Sequence, residues 1–294
     1  MDGPKLHNID RWVEENQQFF KPPVCNKMMH EQQMKCFFVG GPNVRKDYHI
    51  EEGPEFFYML AGDMCLKVME QNKPKDVVIK QGEVFMLPPR IPHSPQRKAG
   101  TVGLVIERER QEMETDGLRY FVEKNGKVTS EILYEKWFHC ENLGPQLASA
   151  INEYFQTEQS ETGVPIAGTI KAYDEAPVKI DLDTAVMTPF SLNQWLEEHK
   201  EAIESQGSLD LFRHLPRGTE VKIYGPGTFC AVFHNSEVIF WVLSGGCTVS
   251  IDEREQKLGE KDTLWLPVNM RFTLNVSSES RVFMLSMAPP SASS

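Results

Sequence analysis

From about residue 34 onward, short apolar runs alternate with turn-forming residues. Their period is the two-residue step of a strand, not the 3.6-residue step of a helix. Residues 36–39, 56–60, 64–69, 77–79, 84–87 and 102–108 are such runs, separated by Gly40-Gly41-Pro42-Asn43, Gly53-Pro54, Gly62-Asp63, Asn72-Lys73-Pro74 and Gln81-Gly82. Within 64–69, Met64, Leu66 and Val68 share one face and Lys67 lies on the other. A second series covers 220–224, 230–233, 238–243, 247–251, 263–266, 272–276 and 281–285. Many short strands with closely spaced turns predict a sandwich or small barrel and exclude a parallel βαβ sheet. Helical spacing is confined to three places. Asp10 is expected to cap a helix reaching about Phe20, with Trp12, Val13 and Phe20 as its apolar positions. Residues 146–159 place Leu147, Ile151, Tyr154 and Phe155 on one stripe. Ser191 and Gln194 form a capping box for a helix packing through Trp195, Leu196, His199 and Ile203. A Gly/Pro/Ala-bearing stretch near 163–177 reads as a linker, and residues 289–294 are expected to be disordered.

The two strand series repeat one another. The first contains His49, an acidic loop, an apolar strand ending in Gly62, a further strand, and Gly82-Glu83 leading to Leu87-Pro88. The second contains His234, a short loop, an apolar strand ending in Gly245-Gly246, a further strand, and Gly259-Glu260 leading to Leu266-Pro267. A repeat of this length predicts two copies of one β-domain. Aligned on Leu-Pro, Phe272 stands opposite His93; aligned on the glycine turn, Val238 stands opposite Glu55. The second copy keeps the scaffold and lacks the polar residues, so it is expected to be structural.

Those polar residues carry the chemistry. His49-x5-Glu55-x6-Gly62 is followed by Gly82-x5-Pro88-x4-His93. Two imidazoles and one carboxylate on adjacent strands can occupy one face of an octahedron and leave about three positions open. Nitrogen and oxygen donors without a thiolate suit Fe(II) or Mn(II). The six cysteines include no C-x-x-C pair, so no zinc ribbon or thioredoxin-type site is readable, and their expected state is buried, reduced thiol.

The spacing resembles the two motifs of the cupin superfamily, a small jelly-roll barrel with a metal inside. Glu51 stands where those motifs usually have a second histidine, the glycine expected six residues before His49 is absent, and Arg90 replaces a usual glycine. A closer resemblance rests on residues 40–53, running Gly-Gly-Pro-Asn-Val-Arg-Lys-Asp-Tyr-His-Ile-Glu-Glu-Gly, and on 87–97, running Leu-Pro-Pro-Arg-Ile-Pro-His-Ser-Pro-Gln-Arg. Residues 101–108, 116–120 and 135–138 extend it. These segments are similar to the 3-hydroxyanthranilate 3,4-dioxygenase family, most closely over about 10–160 and more weakly beyond. The absence of C-x-x-C fits the animal type, a single-chain bicupin whose second domain holds no metal.

The resemblance implies an all-β chain of two cupin barrels with a few short helices, the second degenerate. It implies a catalytic iron-binding domain over 1–162, a linker over 163–179 and a metal-free domain over 180–294. It implies Fe(II) held by His49, Glu55 and His93, with Glu55, Arg97 and Glu107 as substrate contacts. Arg45 is implied as a contact to substrate or O₂, and Arg45 and Glu107 as the catalytic pair. The implied reaction is extradiol-type ring opening of 3-hydroxyanthranilate by O₂. Its product, 2-amino-3-carboxymuconate semialdehyde, leads to quinolinate and NAD within tryptophan catabolism by the kynurenine pathway. A planar guanidinium suits the substrate's carboxylate, and a carboxylate can take a proton from its hydroxyl.

Composition restricts the partners. The net charge is −11, which argues against nucleic-acid and anionic-membrane surfaces. It does not bar an anionic substrate, because screening over about 8 Å makes adjacent arginines outweigh distant acids. No stretch approaches the ~20 apolar residues of a membrane helix, and residues 1–20 lack the apolar segment of a secretory signal. The expected setting is the cytosol, and the expected state is a monomer, since two fused cupins mimic a cupin dimer. Two other readings stay open on the sequence: another cupin dioxygenase or isomerase, and a metal-binding bicupin without catalytic activity.

Overall fold

In the computed structural model, which describes residues 3–22, 25–252 and 254–290, the strands assemble into three six-stranded sheets and one four-stranded sheet. Contacts divide the chain into two units, one of Phe19–Met29 and Cys36–Ser191, the other of Met1–Gln18, His30–Lys35 and Leu192–Ser294. Both units combine segments distant in sequence. A division by contacts therefore differs from one by chain position at 162 and 180. Two pairings account for the interleaving. Lys5–Asn8 adds an edge strand to Asp262–Leu266, and His30 stacks on Trp265 with ring centroids 4.1 Å apart while its Nε2 meets Glu237 at 3.0 Å. Residues 163–191 are irregular apart from short turns and the two-residue strand Phe190–Ser191, which pairs with Glu83–Leu87. The tail at 291–294 lies outside the described residues.

The first unit is built from two six-stranded sheets. One runs Phe190–Ser191, Glu83–Leu87, Glu55–Ala61, Val102–Arg108, Met34–Gly40, Asn26–Glu31. The other runs Lys127–Phe138, Asp116–Lys124, Tyr48–Ile50, His93–Arg97, Met64–Glu70, Lys73–Ile79. Alternation decides what is inside: Phe57, Met59, Leu66, Val68, Phe85, Leu87 and Val105 form one buried cluster. Gly62 makes the turn between Glu55–Ala61 and Met64–Glu70 at φ +64°, a region that glycine enters without a Cβ penalty. The chain between Lys127 and Phe138 carries few apolar alternations, and its hairpin with Asp116–Lys124 was not readable as strand.

The second unit repeats the plan with a six-stranded and a four-stranded sheet. Gly245, at φ +70°, turns Val238–Ser244 into Gly246–Ile251, and a Cβ there would meet Ser280 Oγ at 2.3 Å. Val238 and Phe272, the counterparts of Glu55 and His93, are both buried in its apolar cluster. His234 is exposed and bonds Asn269 at 3.0 Å. Apolar packing thus fills the positions in the second unit that match Glu55 and His93 in the first.

The helices depart in detail. The first spans Ile9–Asn16 with a 3₁₀ turn to Phe20, and its cap is Asn8, whose side chain accepts from the Arg11 amide, rather than Asp10. The stripe predicted over 146–159 forms helix Leu143–Tyr154, which buries Leu147 and Tyr154 and ends before Phe155, itself 63% exposed. After Ser191 there are two short helices, Leu192–Glu198 and Lys200–Gln206, broken at His199, whose ring stacks on Trp195 at 4.2 Å. All six cysteines are free, with Cys230 exposed and Cys65 half-buried.

We expect Phe272→Ala to remove about 3–5 kcal/mol of stability, since it deletes a buried ring packed edge-on against Phe240 at 5.0 Å. Urea unfolding of the full chain measures this, and metal content should be unchanged.

Candidate metal centre

Register brings the two histidines together. Tyr48–Ile50 meets His93–Arg97 at a single antiparallel step, His49 opposite His93, and their rings stand 5.3 Å apart at 72°. Glu55 opens the strand paired with Glu83–Leu87 and shares a face with Phe57 and Met59, so its carboxylate points inward. Its Oε1 lies 2.9 Å from His93 Nε2. Ligating atoms of His49, Glu51, Glu55 and His93 all fall within 4.8 Å of one another, and all four residues are buried. The three residues expected from the spacing converge, and Glu51 joins them.

Hydrogen bonding fixes which nitrogen each ring presents. The Ile91 carbonyl lies 3.0 Å from His93 Nδ1 and can only accept, so Nδ1 carries a proton and Nε2 is the nitrogen turned toward Glu55. Asp116 Oδ2 lies 2.7 Å from His49 Nε2, so that nitrogen donates and Nδ1 is left with a lone pair. A carboxylate or carbonyl behind each ring is the arrangement that orients metal-binding histidines. Imidazole nitrogens and carboxylates buried within 4.8 Å of one another need a proton or a cation between them. The donor set fits a metal ion with imidazole and carboxylate preference.

Charge around the centre is tightly arranged. Burial pushes the Glu55 carboxyl up, but adjacent His93 overrides this and holds it well below the usual carboxylate range. His93 moves upward in the same pairing, against its burial. Glu107 follows Ile106, which pairs with Phe56 next to Glu55, and points inward with Val105, not outward as a strand acid ordinarily would. Burial raises its carboxyl, and Arg110 at 2.8 Å counteracts. Burial likewise raises Glu51, whose Oε2 is 2.7 Å from Arg110 Nη2. Arg110 also meets Asp116 at 3.0 Å, and together with His49 it overcomes burial to hold that acid down at about 2.

The arginines behave differently from one another. Arg97 is buried, its Nε has no hydrogen-bond partner, and burial plus the nearby Arg45 charge pull it down to about 10. A buried guanidinium in that condition is a ready receptor for an anion. Arg45 instead pairs with Asp47 and is about one-fifth exposed at its side chain. Its segment is held to the Arg97 strand: Asn43 and Arg97 exchange backbone hydrogen bonds of 2.9 and 2.8 Å, and Gln96 bonds the Arg45 backbone through both ends of its amide. Sequence reading missed Asp47, Arg110 and Asp116. Asp47 was within reach, since Arg45-x-Asp47-x-His49-x-Glu51 alternates along one face. Arg110 and Asp116 gave no local signal, because only the folded sheet brings them to His49.

Comparison with known proteins agrees. Residues 1–155 match the family model for 3-hydroxyanthranilic acid dioxygenase. The chain is 48% identical over 256 residues to the 3-hydroxyanthranilate 3,4-dioxygenase of Homo sapiens, covering 87% of each chain. It is 49% identical over 267 residues to that of Danio rerio, covering 90% of this chain and 89% of that one. It is 46% identical over 282 residues to that of Xenopus laevis, covering 96% and 97%. Among solved structures it is similar to a salicylate 1,2-dioxygenase variant from Pseudoaminobacter salicylatoxidans, with TM-score 0.57 at 10% identity, covering 96% of this chain and 83% of that one. That likeness concerns the fold alone, an all-β chain of two strand-built units. Sequence identity spread over nearly the whole chain goes further, and this chain belongs to the 3-hydroxyanthranilic acid dioxygenase family.

Proposed function

We propose that this chain is a ferrous 3-hydroxyanthranilate 3,4-dioxygenase, with Fe(II) held by His49, Glu55 and His93. The observation that carries the reading is the convergence of two oriented imidazoles and one carboxylate next to the unsatisfied guanidinium of Arg97. A ferrous ion there supplies open coordination positions and the one-electron chemistry that lets O₂ react with an aromatic ring.

The chain's own groups do the rest. Arg97 takes the substrate carboxylate in a two-pronged, charge-assisted contact, which replaces the partner its Nε lacks. Glu107, raised by burial, is suited to accept the proton of the substrate hydroxyl and to hydrogen-bond the neighbouring amine; Glu55 flanks the substrate while holding the metal. Arg45 stands at the rim with Asp47 and is assigned the contact to O₂ or substrate. The bond opened joins the hydroxyl-bearing carbon to its unsubstituted neighbour, and both oxygen atoms enter the product, 2-amino-3-carboxymuconate semialdehyde. Within the family this product leads to quinolinate and NAD. The second unit, with Val238 and Phe272 in place of ligands, serves as scaffold without a metal. Two cupin units in one chain support a monomer. Among the described residues no helix is long and apolar enough to cross a membrane, and we assign the enzyme to the cytosol.

The decisive experiment supplies 3-hydroxyanthranilate and labelled O₂ to the Fe(II)-loaded protein. We expect one O₂ consumed per substrate and both labelled atoms in the ring-opened product; no uptake by the loaded protein overturns the reading. Glu55→Ala should lose both iron and turnover. Asp116→Ala should stay folded and bind iron about 10- to 100-fold more weakly, because His49 loses the group that orients it; metal titration separates the two. Arg97→Ala should keep its iron while KM rises about 10- to 100-fold, the worth of one charged hydrogen-bonded contact. An unchanged KM removes Arg97 from the substrate site.

A further inference from the structure

Glu51 is in an unusual position. It lies two residues beyond His49 on the same face, at the position where the cupin motif usually has a second histidine. It is 2% exposed, and its carboxylate is near enough to His49, Glu55 and His93 to count among the possible metal donors. Neither of its oxygens has an aligned hydrogen bond. Its cationic contact is Arg110 Nη2 at 2.7 Å, and its carboxyl also interacts with that of Glu55.

Arg110 is itself immobilised. Its side chain is 3% exposed, it grips Asp116 through Nε at 3.1 Å and Nη2 at 3.0 Å, its Nη1 meets Glu107 at 2.8 Å, and Nη1 also donates to the Arg108 carbonyl at 3.3 Å. Moving it toward or away from Glu51 breaks contacts on the opposite side. Arg110 is thus a fixed positive charge directly behind a carboxylate that would otherwise have a metal ion as its nearest cation.

We propose, resting on the reading that His49, Glu55 and His93 hold the metal, that Arg110 is a positioning residue that keeps Glu51 out of the coordination set. It thereby holds the site at three protein ligands. An octahedral ion with three protein ligands has about three positions left, enough for a chelating hydroxyl–amine pair and O₂ together. A fourth protein ligand leaves one fewer than that. The substitution of glutamate for the motif's histidine and the presence of Arg110 are two halves of one device: the side chain at position 51 is given a partner other than the metal.

Loss of turnover in an Arg110 variant would follow from its contact with Glu107 alone, so the test reads the metal. Full-length wild type, Glu51→Gln, Arg110→Met and the double variant are titrated with Co(II), whose visible bands report coordination number. We expect Glu51→Gln to bind Co(II) within about twofold of wild type and with the same bands. Arg110→Met should show altered bands as Glu51 enters the coordination sphere. The double variant should return to the wild-type spectrum. Affinity also responds to the lost positive charge, so the spectrum decides. Identical bands in Arg110→Met and the double variant overturn the proposal, as does a loss of Co(II) by about tenfold or more in Glu51→Gln, which would make Glu51 a ligand already. If Arg110→Met does not fold, Arg110→Gln carries the same comparisons. The two readings fail differently. Should Glu55→Ala leave Co(II) binding intact, the metal assignment itself falls; should Glu55→Ala abolish binding while the Arg110 spectra coincide, only the role of Arg110 falls.

Discussion

Four carboxyl groups, those of Glu51, Glu55, Glu107 and Asp116, are buried together in the first unit. Such a concentration of like charge in a low-dielectric interior is untenable without compensation, because desolvation and mutual repulsion both favour neutral acids. The structure meets this with one buried guanidinium and a pair of imidazoles. Arg110 answers Glu51, Glu107 and Asp116 from one side, and the paired histidines face Glu55 from the other. The donor set of His49, Glu55 and His93 fits a divalent cation, which would complete the balance. The geometry of the site is therefore an electrostatic solution as much as a catalytic one. The residues that balance the charge also fix the angles at which the donors meet.

The barrel was legible from its alternation. Met64, Leu66 and Val68 on one face, with the Gly62 turn before them, give strand, register and inward direction at once. The convergence of the candidate donors was legible because motif spacing survives translation into structure: one step of antiparallel register sets His49 opposite His93. The hairpin formed by Asp116–Lys124 and Lys127–Phe138 was not legible, since its outer strand is rich in Lys, Glu, Thr and Ser and has no clean period. Asp116 lay hidden with it. Arg110 looked like one more charge in an Arg-Glu-Arg run, and only the neighbouring strands show that its side chain is enclosed by acids. Helix ends were misread where a better cap stood nearby, as Asn8 displaced Asp10.

Comparison of the two units separates what the fold requires from what the chemistry requires. Both have the glycine turn at positive φ and the apolar strand before it. At the positions matching Glu55 and His93, only the first places ionisable groups in its interior. Replacing Glu55 with a valine and His93 with a phenylalanine, as the second unit has done at the matching positions, turns an electrostatic cluster into ordinary close packing. The scaffold tolerates either filling, which is consistent with the general separation of fold from site.

The pairing of Lys5–Asn8 with Asp262–Leu266 has a consequence for biosynthesis. A chain is made from its amino end, and domains ordinarily fold in that order. Here the strand Lys5–Asn8 has as its neighbour a strand made more than 250 residues later. Until then its backbone amides and carbonyls must be hydrated or borrowed by something else. The barrel bearing His49, Glu55 and His93 can close before that happens, so a nascent chain stalled short of residue 262 would carry a finished site while Lys5–Asn8 still lacked its partner strand.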